Sequence, residues 1–229
     1  AGDATTTGGY STAVGKDALG ANTTGGHNVA VGRLALKSNT TANNNVAVGN
    51  ETLNANTTGT SNTAVGHAAL LANTTASNNT AVGFYALKAI TTGTQNAAVG
   101  TYAGTALTTT GANAVFGYDA LKRATTSDNT TCIGHNAGAY ITTSNNNTCL
   151  GKNAGAYIVN LTTGANNTIL GSYASTSTAT TDNANAIGHG VQSATDYTTI
   201  GVSSNDIRAA NGTATWAAVS DQRYKKDIA

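Results

Sequence analysis

One four-residue phrase constrains this chain more than any other feature: a small residue, then Ala, then Val or a larger aliphatic, then Gly. It first reads Thr12-Ala13-Val14-Gly15, and its glycine returns at Gly32, Gly49, Gly66, Gly83, Gly100, Gly117, Gly134 and Gly151, each step being 17 residues. The phrase continues at Gly171, Gly188 and Gly201 with intervals of 20, 17 and 13. A unit this short cannot bury its own apolar face, so copies must stack on one another. The spacing predicts an all-β parallel β-solenoid of about 12 coils with a 17-residue repeat.

Each coil can be numbered from its glycine as position 0. Position −1 then carries Val14, Val31, Val48, Val65, Val82, Val99, Phe116, Ile133, Leu150, Leu170, Ile187 and Ile200. Position −2 is Ala in the first six coils, then Val115, Cys132 and Cys149, and −3 is mostly Thr or Val. Large, small and β-branched residues in succession suit a short strand buried on both faces, one in its own core and one against a close neighbour. The glycine supplies the positive φ that turns the corner.

Beyond the corner come Ala at +3 and Leu at +4, as Leu19, Leu36, Leu53, Leu70, Leu87 and Leu121. Where +4 becomes Gly104, Gly138 or Gly155, position +7 changes from Asn to Leu107, Ile141 or Ile158. One aliphatic leaves and another arrives, as a shared close-packed core requires. Cys132 and Cys149 occupy one register and read as two small buried thiols, although strands stacked about 4.8 Å apart also lie within disulfide reach. The rest of the coil is Asn-Thr-Thr-Gly or a variant, with a further Asn at −4 from Asn28 to Asn167. These residues are expected to hold corners and face solvent, and identical Asn on successive coils can also form amide ladders. Helical repeats are excluded, because no coil offers more than about six residues free of Gly and turn formers.

Composition narrows the function classes. Only 9% of residues are charged, against about 25% in typical soluble domains. The formal net charge is +1, which leaves no electrostatic footprint for nucleic acid or an anionic membrane. No apolar run approaches the roughly 20 residues that span a bilayer. With no starting Met and no signal-peptide pattern, the chain reads as a piece of a longer protein. Asp17, Glu51 and Asp119 share position +2 but lie two and four coils apart, about 10 and 19 Å by strand spacing. That misses the roughly 5 Å of a retaining glycosidase and only approaches the inverting range. His27, His67, His135 and His189 show no ligand spacing, so no metal, cofactor or enzymatic site is expected.

A rod of 12 coils would be about 55 Å long. So narrow a coil, with Ala along one strand face, is expected to need partners, in a parallel homotrimer whose Ala faces meet around the axis. Tyr85 with Tyr102, at +2, and Tyr140 with Tyr157, at +6, would stack into short ladders and are the candidate receptor contacts. Stacked Thr-Thr pairs leave an ice-binding solenoid as an alternative.

The phrase Asn-Thr-Ala-Val-Gly-x-x-Ala-Leu resembles the repeats of trimeric autotransporter adhesin heads, and still more the shaft repeats of bacteriophage tail fibres and tailspikes. The likeness covers residues 10–201 and implies a left-handed β-roll trimer. At the C-terminus, Ser220-Asp221-Gln222-Arg223-Tyr224-Lys225-Lys226-Asp227-Ile228 is similar to the opening of the peptidase S74 intramolecular chaperone, with Tyr224 where that family more often has Leu. The resemblance implies self-cleavage of a longer precursor at the Ser220–Asp221 bond, with Ser220 as nucleophile and Lys225 as its activating base. A chain continuing past Ser220 would be a copy not cut there.

The implied organisation is a shaft over 1–201, a neck over 202–219 with Trp216 as a trimer-core anchor, and the start of the chaperone over 220–229. The implied function is a structural and adhesive virion fibre acting extracellularly at the host surface. Its partners would be other tail or fibre proteins and a cell-surface receptor, with glycans among the ligands. No nucleic acid or membrane insertion is implied. A bacterial cell-surface adhesin of the same architecture is the alternative.

Overall fold

The computed structural model describes residues 8–203, 205–213 and 217–218. Among these there is no helix, and the chain is a parallel β-solenoid of about 11 turns. Twelve strands, from Thr12–Val14 to Tyr197–Val202, pair in parallel, each with its successor. The first step sets Thr12, Ala13 and Val14 opposite Val29, Ala30 and Val31. The register survives both irregular steps, because Thr168 still faces Thr148 and Ile200 still faces Ile187.

Three-residue strands alternate faces, so −2 points one way while −3 and −1 point the other. Ala30, Ala47, Ala64, Ala81 and Ala98 are completely buried inside the chain's own coil. Opposite them stand the equally buried Leu36, Leu53, Leu70 and Leu87 from +4. This corrects the expectation that the Ala face turns towards sister chains. The coil is so narrow that once Leu enters from the far wall, only a methyl group fits on the strand side. The bulky −1 row therefore lies on the outer face, with Val14 56% and Phe116, Leu150 and Leu170 each 40% exposed.

The corner glycine works as its sequence position suggests: φ is +127° at Gly66 and +136° at Gly83. Beyond it the backbone alternates handedness, with positive φ at +2 and again at +4. Hydrogen bonds alternate too. The Ala18 N–H donates back within its coil to the Gly15 carbonyl at 3.4 Å, whereas the Leu19 N–H donates to Ala35 of the next coil at 3.0 Å. Every second amide thus reaches across coils, and the backbone groups are satisfied without a helix.

The six leucines at +4 hold φ between 48° and 52°, a left-handed conformation costing an ordinary residue about 1–2 kcal/mol. Full burial of a Leu side chain returns about 1.5–3 kcal/mol, which offsets it. Where −2 carries a thiol, Gly replaces Leu and removes both strain and bulk. A Cβ on Gly138 would lie 2.5 Å from Cys132 Sγ, and one on Gly155 3.0 Å from Cys149 Sγ. Leu107 and Ile141 fill the vacated volume and are fully buried. Ile158 does not: it is 58% exposed, and Leu161 takes the core position. The reason is the three-residue insertion in this coil, an excursion closed by a bridge between Ala156 and Asn160. Cys132 and Cys149 are free, buried and directly opposite one another. The neighbouring Cys149 thiol, together with burial, pushes the Cys132 pKa well up.

The Asn rows face inward rather than holding corners in solvent. Asn22, Asn39, Asn56 and Asn73 are fully buried and joined amide to amide, with Nδ2 to Oδ1 distances of 2.8, 3.0 and 2.7 Å. A second ladder at −4 links Asn45 to Asn62 and Asn79 to Asn96, each at 3.1 Å. Burial also makes Asn22 and its copies unusable as glycan acceptors, although they satisfy the Asn-x-Thr pattern. Beside them, nine threonines, eight at +8 and Thr162 at +11 past the insertion, each donate a hydroxyl to a carbonyl one coil on, from Thr23 to Thr40 at 3.0 Å through Thr162 to Ala179 at 3.2 Å.

The stack ends in an antiparallel turn-back. Asn205–Ala210 pairs with Tyr197–Val202, and Ala217–Ala218 pairs in turn with Ile207 and Arg208. A parallel edge is thereby covered by the chain itself.

Candidate functional site

Chemically distinctive side chains gather along one corner, at +1 and +2. The left-handed residue at +2 turns its side chain outward beside the +1 side chain, so successive coils bring rings together. His67 stacks on Phe84 at 5.3 Å, Phe84 meets Tyr85 at 4.1 Å, and Tyr85 meets Tyr102 at 5.8 Å. The row continues from Tyr102 to Tyr118 and on to His135. The proposed Tyr85–Tyr102 contact is therefore present, within a longer spine. Phe84 and Tyr118 were no part of the expected ladder, and His67 and His135 were read only for ligand spacing, although all four share the +1 register in the sequence.

The spine is cationic along its flank. Lys88 lies 4.3 Å from the Tyr85 ring centre and Lys122 4.9 Å from that of Tyr102. Lys122 also bonds Asp119 at 2.8 Å, and that hydrogen bond raises the lysine's pKa. Of the other carboxylates at +2, Glu51 pairs with Arg33 at 2.7 Å.

Tyr140 and Tyr157 do not form the expected ladder among the described residues. Tyr140 packs under Arg123, whose guanidinium carbon is 4.5 Å from the ring centre. Tyr157 rides on the inserted loop, which carries it away from its nominal register and onto Tyr173 at 4.4 Å and 61°. Tyr173 in turn meets His189 edge-on at 5.6 Å.

This second aromatic group walls a cleft of about 730 Å³ at the C-terminal end of the solenoid. Ile158 extends the apolar wall, and Gln192, Ser203 and Asp206 provide the polar one. Asp206 is only 6% exposed, and its Oδ1 has no hydrogen-bond partner. Burial raises its pKa from the ordinary carboxylate value. The only sign of the cleft in the sequence was the pair of broken steps, 20 and 13 residues long, that flank it.

Ser220, Asp221, Lys225 and Trp216 lie outside the described residues. Among the described residues, no group of three His, Cys, Asp or Glu side chains could hold a metal ion, and no helix is long and apolar enough to cross a membrane. No protein-family model, curated protein or solved structure matches this chain.

Proposed function

We propose that this chain is a shaft segment of a trimeric attachment fibre, of the kind found in bacteriophage tails, that presents a binding surface to a cell-surface receptor. The observation that carries the reading is the outer row at −1. It is bulky and apolar in all twelve coils, partly exposed throughout, and flanked at −3 by uncharged residues in every coil, Asn185 and Thr198 included. At one residue per coil it runs about 53 Å. Continuous apolar surface of this kind marks an association face. Parallel copies in one register would set each −1 side chain against its own copy, Val against Val in the first six coils and Phe, Ile or Leu against itself in the rest, so the row is complementary to itself. Three copies, rather than two, is what the repeat resemblance implies.

The likeness of 220–228 to the S74 opening supports maturation by cleavage at Ser220–Asp221 in a longer precursor, with Lys225 activating Ser220. Changing either residue in that precursor is expected to leave it uncut on a denaturing gel. The fibre itself is tested by light scattering, which is expected to give three times the chain mass. Val82→Asp, which forces a charge into the row, is expected to release monomers. A wild-type chain that runs as a monomer would overturn the reading.

One observation favours a second reading. Thr24, Thr41, Thr58, Thr75, Thr92 and Thr109 form an exposed row at +9, outside the bonded threonines at +8. A regular hydroxyl row of this kind suits ice binding, which thermal hysteresis in solution would reveal.

A further inference from the structure

We propose that the cleft at the C-terminal end is a saccharide site that takes a neutral pyranose of a surface polysaccharide. Only the source of that ligand rests on the fibre reading; the site itself stands on its geometry.

The cleft forms where the 17-residue ruler fails. The long coil from Gly151 adds the loop that carries Tyr157, while the short coil from Gly188 leaves Gly190 and Gln192 facing the turn-back at Ser203 and Asp206. Here the chain has built a hollow at the corner. Its volume of about 730 Å³ lies within the range of small-ligand sites.

The two walls need a ligand with two kinds of surface. Tyr157 is 55% exposed and buttressed edge-on by Tyr173, so it offers a fixed, open ring face. The apolar C–H face of a pyranose stacks on such a ring. By contrast, Tyr85 and Tyr102 already carry Lys88 and Lys122 over their rings.

Opposite, a carboxylate that is more than nine-tenths buried holds an oxygen with no donor. A buried acceptor left unpaired is costly, and a turn of the Asp206 side chain towards the cleft it lines would let a sugar hydroxyl donate to it. An apolar ligand would leave Asp206 unpaired, and a phosphate would be repelled by it. The Gln192 amide both donates and accepts, which fits a ligand whose hydroxyls do the same.

The test uses the full chain in its native oligomeric state, probed with a printed array of neutral pyranosides and amino sugars and then by calorimetry with the methyl glycosides that bind. Tyr157→Ala and Asp206→Asn are each expected to weaken binding by about tenfold or more, and Tyr85→Ala to leave it unchanged. If Asp206→Asn does not fold, Tyr157→Ala on its exposed loop decides alone. The proposal is overturned if the folded chain binds no neutral pyranoside, if only amino sugars bind, or if binding survives Tyr157→Ala. A mass measurement on the same samples separates the two readings. A trimer that binds no sugar removes the site and leaves the fibre, whereas a monomer that binds in the cleft does the reverse.

Discussion

The regular coils over residues 8–151 and the irregular end over 151–213 solve the same packing problem in different ways. In the regular coils, a side chain's partner is its own copy one coil away: Asn39 bonds Asn22, Thr40 bonds the Thr57 carbonyl, and Cys132 faces Cys149. At the end, unlike partners join these rows. Ser193 Oγ donates to the Tyr197 carbonyl at 2.8 Å, Asn211 reaches back to Asn183, and Tyr157 leans on Tyr173. Like-on-like stacking holds each buried register to a few residue types. Breaking the register frees the residues to differ, and there the surface opens into the cleft of about 730 Å³.

The largest effect expected from this contrast is at glycine. A Cβ on Gly66 would lie 2.6 Å from the Gly83 oxygen and 2.7 Å from its carbonyl carbon, at φ +127°. On Gly212, in the turn-back, it would meet nothing within 4 Å, at φ +86°. Gly66→Ala is therefore expected to cost about 3 kcal/mol or more, combining backbone strain with a clash between coils. Gly212→Ala should cost about 1 kcal/mol, from φ alone. Guanidinium unfolding measures both, and equal losses would mean that coil-to-coil contact does not govern the corner.

Much of the regular part was legible before any coordinates, because a glycine that must turn a corner leaves a fixed ruler. What misled was direction. Alternation shows that −2 opposes −1, not which of them is inside, and bulk normally points inward. Here Leu from +4 already fills the narrow interior, so Ala faces in and Val faces out. The Asn rows misled because amides usually sit in turns, yet a clue was available: +7 exchanges Asn for Ile90, Leu107 and Ile141, and a site that accepts Asn or Ile is a buried one. Ile158 and Tyr157 were misplaced because an insertion of three residues has no address until Leu161-Thr162-Thr163 is aligned with Ile141-Thr142-Thr143. The cleft itself needed the turn-back at 205–210, which follows no repeat.

A middle-sized effect separates the inside of a ladder from its end. Asn56 accepts from Asn73 and donates to Asn39 and to the Gly59 carbonyl. Asn73 donates to Asn56 and Ala76, but its Oδ1 has no partner, because the next coil supplies Ile90. Asn56→Leu orphans groups on both sides and is expected to cost about 2–3 kcal/mol. Asn73→Leu removes an acceptor that was already unpaired, and should cost about 1 kcal/mol less. Denaturant midpoints of the two variants rank them, and a reversed order would mean that the ladder is not the unit of stability.

The smallest effect tests how far the links are independent. Thr91 donates its hydroxyl to the Thr108 carbonyl at 3.2 Å, but that carbonyl also accepts the Thr91 N–H at 2.8 Å. Thr91→Val therefore leaves no orphan and should cost about 0.5–1 kcal/mol. Each hydroxyl in this row ends on a carbonyl, not on the next hydroxyl, so Thr57→Val and Thr91→Val together should add to within about 0.5 kcal/mol. The irregular end is wired differently. Thr199 donates to Ser193 Oγ, which donates to the Tyr197 carbonyl, a hydroxyl chain whose members polarise one another. Thr199→Val and Ser193→Ala should therefore fail to add, each removing what the other depends on. A double-mutant cycle by chemical unfolding reads both pairs, and additivity at the end or coupling along the row would erase the distinction between repeated and bespoke packing in this chain.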